Sequence, residues 1–116
     1  MTNQITVYGI HNCDTVKKAR RWLDEQQLHY IFHDFRKDGL NIARVGEFEA
    51  ALGWQKLVNK RSTTWKQLPD SQRTEINRES AIALMVQHPT LIKRPITQYP
   101  KGYLVGFTVE NYTQLL

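Results

Sequence analysis

The chain has little cysteine: one residue, Cys13, among 116. A lone cysteine excludes an internal disulfide, and with it the small disulfide-stapled secreted scaffolds. Long apolar runs are missing too. No stretch approaches the ~20 apolar residues that cross a bilayer. The opening residues, MTNQITVYGI, lack the basic segment and apolar core of a signal peptide. These absences lead us to expect a cytoplasmic, reducing setting without membrane contact. Repeats, low-complexity tracts and Pro/Gly-rich linkers are also absent, so a single domain over residues 1–116 with no long disordered tail is expected.

Acidic residues are in deficit. Sixteen Lys and Arg face eleven Asp and Glu, a net charge of +5. The basic residues gather at Lys17-Lys18-Arg20-Arg21, Lys60-Arg61 and Lys93-Arg94. No aromatic residues interleave with them in the manner of a nucleic-acid reader, so nucleic acid is not an expected partner. A basic surface or a pocket for a small anion accounts for the same charge.

What is present is enough for a core. Hydrophobic residues make up 41% and charged residues 23%. A chain of this size buries roughly two thirds of its unfolded surface. QITVYGI (4–10) is β-branched and aromatic and reads as a short buried strand. Val16, Ala19 and Leu23, with Trp22 and Gln26 beside them, share one face of a helix, which Asn12 or Asp14 would cap. LHYIFHDF (28–35) reads as a second strand and RKDGL as a turn.

Ile42, Val45, Phe48 and Leu52 then mark a helix that ends at LGW (52–54). Residues 55–88 read as mainly helical, broken at STT and at LPDS (68–71). ESAIALMVQHP (79–89) is a helix stopped by Pro89. TLIKRPI (90–96) reads as extended, QYPKG (98–102) as a turn and YLVGF (103–107) as a strand. TVENYTQLL (108–116) closes the chain as a helix capped by Thr108. The order predicts an α/β fold with a helical insertion, at about 40–89, between the second and third strands.

Cys13 falls where the first strand gives way to the first helix. Helix N-termini carry unpaired N–H groups and a partial positive charge, which favour a thiolate. Lys17, one turn on, adds positive charge, Asp14 opposes it, and His11 can act on the thiol as base or charge. The alternative is a buried, inert thiol. No second cysteine stands at the CxxC spacing, where Val16 is found. A redox role for Cys13 therefore needs a thiol from outside, and glutathione is the obvious supplier. His29 and His33 fall four apart in the second predicted strand and share a face, but too few further ligands accompany them for a metal site. Trp65, just after STT, is placed to orient Arg61.

YGIHNCDTVKKARRWL, LVNKRSTTWKQL and LIKRPI together resemble the ArsC/Spx/YffB family, the arsenate reductase-like branch of the thioredoxin fold, and are most similar to its YffB-like subgroup. The resemblance covers nearly the whole chain. It implies a thioredoxin-like fold with Cys13 as the nucleophile and Arg61 and Arg94 beside it. It also implies Pro95 as the proline held in cis near the thiol, with the preceding backbone offered to an extended thiol ligand. Asn12, Arg61, Arg94 and Pro95 would then hold glutathione, and His11, Asp14 and Lys17 would tune the thiolate. The implied activity is a glutathione-dependent thiol–disulfide exchange in a monomer. Glutathione is the co-substrate, a small or protein disulfide is the substrate, and no metal or bound organic cofactor is needed.

Two departures bear on the other family activities. Arsenate reductases of the family resemble HNPAC before the nucleophile, where this chain reads GIHNC. Their third anion-binding arginine falls near Gly106, which offers no side chain. Spx regulators, which bind RNA polymerase, resemble this chain but carry a CxxC that it lacks. A non-enzymatic adaptor for RNA polymerase and an oxyanion reductase are the two alternative readings.

Overall fold

The computed structural model describes residues 4–116, so the first three residues of the N-terminal segment read above lie outside the described residues. The chain divides into two compact units. One comprises Met1–Gly39 with Arg94–Leu116, and the other Leu40–Lys93.

The first unit is built on four short strands, β1 (Thr6–Gly9), β2 (Ile31–Asp34), β3 (Ile96–Tyr99) and β4 (Gly102–Val105), in the order β2-β1-β3-β4. β1 and β2 run parallel, with Gly9 opposite Asp34. β3 is antiparallel to both β1 and β4. A parallel pair needs a long crossover, and helix α1 (Asp14–Glu25) supplies it. The predicted helix face is the one that is buried: Val16, Ala19, Trp22 and Leu23. Ala19, Trp22 and Leu23 pack with Ile5, Val7, Leu104 and Tyr112 in one cluster. A fully buried side chain such as Leu23 contributes roughly 1.5–3 kcal/mol. Trp22 and Phe107 meet Tyr112 edge-on, with centroids 5.6 and 4.8 Å away. The Tyr112 hydroxyl shares a 2.6 Å hydrogen bond with Thr97 Oγ1, which satisfies both polar groups inside the core.

Several boundaries differ from the sequence reading. β2 covers only Ile31–Asp34 of the predicted 28–35, because β1 offers four residues to pair with it. His29 therefore lies outside the strand, and His33 places Nε2 2.7 Å from the Gly39 carbonyl oxygen. TLIKRPI is not one extended strand. Pro89–Leu91 forms a 3₁₀ turn, and the third strand begins only at Ile96. It runs into the segment predicted as a turn, so the reversal narrows to Pro100-Lys101. The closing helix, α7 (Val109–Tyr112), is short and passes into a 3₁₀ turn at Thr113–Leu115. Thr108 caps it as expected, accepting from Asn111 N.

The second unit holds helices α2 (Ile42–Leu52), α3 (Trp54–Leu57), α4 (Thr63–Gln67), α5 (Asp70–Thr74) and α6 (Arg78–Gln87). Asn41 caps α2 and Ser62 caps α4. Asn77 and Ser80 cap α6 reciprocally. Gly53, at φ 85°, makes the left-handed link between α2 and α3. An isolated bridge pairs Val58 with Ile92, flanked by Asn59 N donating to Leu91 O and Lys93 N donating to Leu57 O. Among the described residues no helix is long and apolar enough to cross a membrane.

Candidate functional site

The site begins where β1 ends. Ile10, His11, Asn12 and Cys13 form a turn closed by Cys13 N donating to Ile10 O at 3.2 Å. Cys13 is the N-cap of α1, in extended backbone at φ −90° and ψ 127°. The expectation that Asn12 or Asp14 would cap this helix is corrected. Cys13 occupies the capping position itself, one residue after Asn12 and one before the first helical residue. Lys17 N donates to Cys13 O at 2.9 Å, the first turn of the helix.

The half-buried thiol makes no capping hydrogen bond at rest. The N–H groups of Val16 and Thr15 nevertheless lie where they stabilise a charged sulfur, as a capping oxygen would be stabilised. Burial pushes the thiol up. The Val16 N–H, the Arg94 guanidinium by hydrogen bond and by charge, and the Thr15 N–H together outweigh it, and the thiol is held below the ordinary range.

Helix and strand approach closely here. A methyl group on Gly9, the last residue of β1, would fall 2.7 Å from Val16 Cγ2. Only glycine lets α1 start this near the sheet.

Arg94 reaches the thiol from the far end of the chain, just ahead of β3. The Arg94–Pro95 bond is cis, and Pro95 is buried. The Pro95 carbonyl accepts from Gly106 N at 2.8 Å. Gly106 itself lies at φ 77°, and nothing stands within 4 Å of where its Cβ would be.

The remaining predicted residues lie as follows. Asn12, Asp14 and Lys17 are exposed, on the turn and the first turn of α1. None of His11, Asp14 and Lys17 is among the main influences on the thiol. The His11 ring is engaged elsewhere: its Nδ1 lies 3.0 Å from Asp34 Oδ2. Arg61 belongs to the other unit. It is exposed in the turn before α4, with its N–H donating to Asn59 Oδ1 at 3.1 Å. The cation over the Trp65 ring is Lys60, at 5.6 Å, rather than Arg61. Among the described residues no group of three or more His, Cys, Asp or Glu is arranged to hold a metal.

Asp34 was missed as a site residue. In the sequence it is one letter of a strand. In the structure it is the one charged side chain buried among the described residues. Oδ1 accepts from the N–H groups of Arg36 at 2.8 Å and Lys37 at 3.3 Å. Oδ2 accepts from His11 N at 3.2 Å as well as from the ring. Burial pushes its pKa up, but these donors outweigh that and hold it below the ordinary carboxylate value. A carboxylate ahead of RKDG carries a local signal for an Asx turn onto Arg36. Its bond to His11, 23 positions away, carries none.

The sequence model of the ArsC family matches residues 8–115. The chain is similar to the solved YffB (PA3664) protein, at 38% identity and a TM-score of 0.92, covering 97% of this chain and 98% of that one. An arsenate reductase (ArsC) related protein from Brucella melitensis matches at 37% identity with a TM-score of 0.80, over 98% and 95% of the two chains. The global transcriptional regulator Spx 2 of Bacillus cereus is 26% identical over 97% of this chain and 86% of its own length.

Proposed function

The chain belongs to the ArsC family, and from that premise we propose that it is a glutathione-dependent thiol–disulfide oxidoreductase with Cys13 as its nucleophile. The observation that carries this reading is the contact between the chain's one thiol, at a helix N-cap, and the Arg94 guanidinium.

The Cys13 thiolate attacks the glutathione sulfur of a glutathionylated substrate. A sulfur–sulfur bond forms to Cys13, the original one breaks, and the substrate leaves as a thiolate that takes up a proton. A second glutathione thiolate then attacks the glutathione sulfur on Cys13. Oxidised glutathione departs and the Cys13 thiolate returns, held by Val16, Thr15 and Arg94. No second protein thiol is consumed, in keeping with a sequence that has one cysteine. In this reading Arg94 takes a glutathione carboxylate, offering a planar fork suited to it. The backbone beside Pro95 pairs with the tripeptide, and Asn12 lines its approach. The open space at Gly106 suits an extended thiol better than an oxyanion, which loses an arginine contact there.

The test is turnover of a glutathionylated peptide by glutathione, wild type beside Cys13→Ser. Turnover by wild type and none by the variant is the expected result. Equal rates for the two proteins would overturn the reading.

The similarity to Spx over nearly the whole chain supports a second reading, a non-enzymatic adaptor that docks on RNA polymerase. It predicts a polymerase complex that survives Cys13→Ser. Recovery of no polymerase subunit with either protein would dismiss it.

A further inference from the structure

We propose that Asp34 is a positioning residue for Cys13, clamping the turn that delivers the thiol to the helix N-terminus. The inference takes from the proposed function only that Cys13 is the reactive group.

The geometry is specific. Asp34 ends β2 opposite Gly9, the residue that ends β1. Phe35 N donates to Gly9 O at 2.8 Å, so the two strand ends are tied by backbone at this point. Beyond Gly9 the chain leaves the sheet and must reverse through His11 and Asn12 before α1 begins. Ile10, which opens the turn, is buried and anchors its entry, but His11 and Asn12 are exposed, so the middle of the turn is held by hydrogen bonds rather than by burial. Its own closing bond is the one from Cys13 N to Ile10 O, at 3.2 Å. From outside the turn the Asp34 carboxylate takes both the backbone N–H of His11, at 3.2 Å, and its ring Nδ1, at 3.0 Å, on one oxygen.

The other oxygen of Asp34 takes Arg36 and Lys37 N–H, and the Asp34 N–H donates to Asp38 Oδ2 at 2.9 Å. The carboxylate is thus fixed by its own turn before it acts on His11. A charged acceptor held this way, almost out of solvent, makes strong and directional bonds. His11 sits at the second position of the turn, two residues from the sulfur. Holding it sets the direction in which Cys13 enters the helix, and so the place of the sulfur against Val16 N–H, Thr15 N–H and Arg94.

This accounts for the engagement of the His11 ring with Asp34. The His11 ring serves as a handle for Asp34, and Asp34 acts on the thiol through the backbone.

The sign of one experiment separates positioning from simple charge. A carboxylate near a thiol disfavours the thiolate, so removing its charge alone would make Cys13 more reactive. Loss of positioning does the opposite. The measurement is the rate of Cys13 alkylation by iodoacetamide across pH, per folded molecule, for wild type, Asp34→Asn, His11→Ala and the double variant. Asparagine can satisfy only part of the four-donor set. Asp34→Asn is expected to react roughly tenfold more slowly at pH 7, within the up to hundredfold cost of misplacing a reacting group by about 1 Å. Its pH–rate profile should also move to higher pH.

His11→Ala keeps the backbone donor, so it should show a smaller loss in the same direction. The double variant should be no slower than Asp34→Asn, because the two residues act in series. An unchanged or faster rate in Asp34→Asn would overturn the proposal, as would additive losses in the double variant. If Asp34→Asn does not fold, His11→Ala decides: a rate and profile equal to wild type would overturn the proposal. Alkylation needs no glutathione, so a failure of the proposed activity leaves this result readable.

Discussion

Replacing Gly9 with alanine tests how closely α1 must approach the sheet for the thiol to work. The new methyl group would lie 2.7 Å from Val16 Cγ2, about 0.7 Å short of an ordinary 3.4 Å contact. Val16 is fully buried and β-branched, so its side chain has no free rotamer to escape into. The helix start must therefore move off β1. Overpacking of this kind costs about 1–3 kcal/mol, which in a domain of this size lowers the melting midpoint by roughly 4–12 °C.

The Val16 N–H is also the strongest of the groups that favour the Cys13 thiolate. Gly9→Ala should therefore slow iodoacetamide alkylation at neutral pH as well as destabilise the fold. Val16→Ala removes the obstructing methyls and by itself costs about 2 kcal/mol of burial and cavity energy. Combined with Gly9→Ala it should cost at least about 0.5 kcal/mol less than the sum of the two, the coupling expected of residues in contact. Chemical denaturation of the four proteins gives the cycle. Additivity within about 0.5 kcal/mol, or a Gly9→Ala protein as stable as wild type, would refute the argument.

Two further predictions concern titration. Arg94→Met keeps the aliphatic length and removes the guanidinium that lowers the thiol pKa. Alkylation at pH 7 should slow and its pH profile should move to higher pH; an unmoved profile would show that Arg94 does not act on the sulfur. Tyr112 is pushed up to about 12 by burial, from an ordinary 10.0. A folded-state value raised above the unfolded one contributes stability that is complete below pH 10 and is lost as pH climbs toward 12. Tyr112→Phe should remove that part of the alkaline loss. It should also cost about 1–3 kcal/mol at neutral pH by leaving the Thr97 hydroxyl unpaired in the core. Urea titrations across this pH range read both effects.

Elements governed by local patterning were legible. The α1 stripe of Val16, Ala19, Trp22 and Leu23 follows from helical spacing, and the Thr108 cap from its hydroxyl. Elements governed by pairing were not. The extent of β2 depends on how much of β1 faces it. The start of β3 depends on the register that sets Tyr8 opposite Ile96. TLIKRPI reads as extended in the sequence, but the backbone of Leu91 and Lys93 is used by Asn59 and Leu57 instead.

The site divides in the same way. The place of Cys13 between strand and helix could be read from a dozen consecutive residues, because helix N-termini are local features. That the chain holds no second thiol to pair with Cys13 also followed from composition. Which side chains surround the thiol was a matter of tertiary structure. Arg94 arrives there because β3 pairs with β1, which returns the far end of the chain to the turn. His11 is diverted to Asp34 because parallel pairing sets the ends of β1 and β2 side by side. Contacts of this kind depend on strand order and register, which arise from burial over the whole fold, and no short stretch of sequence contains them.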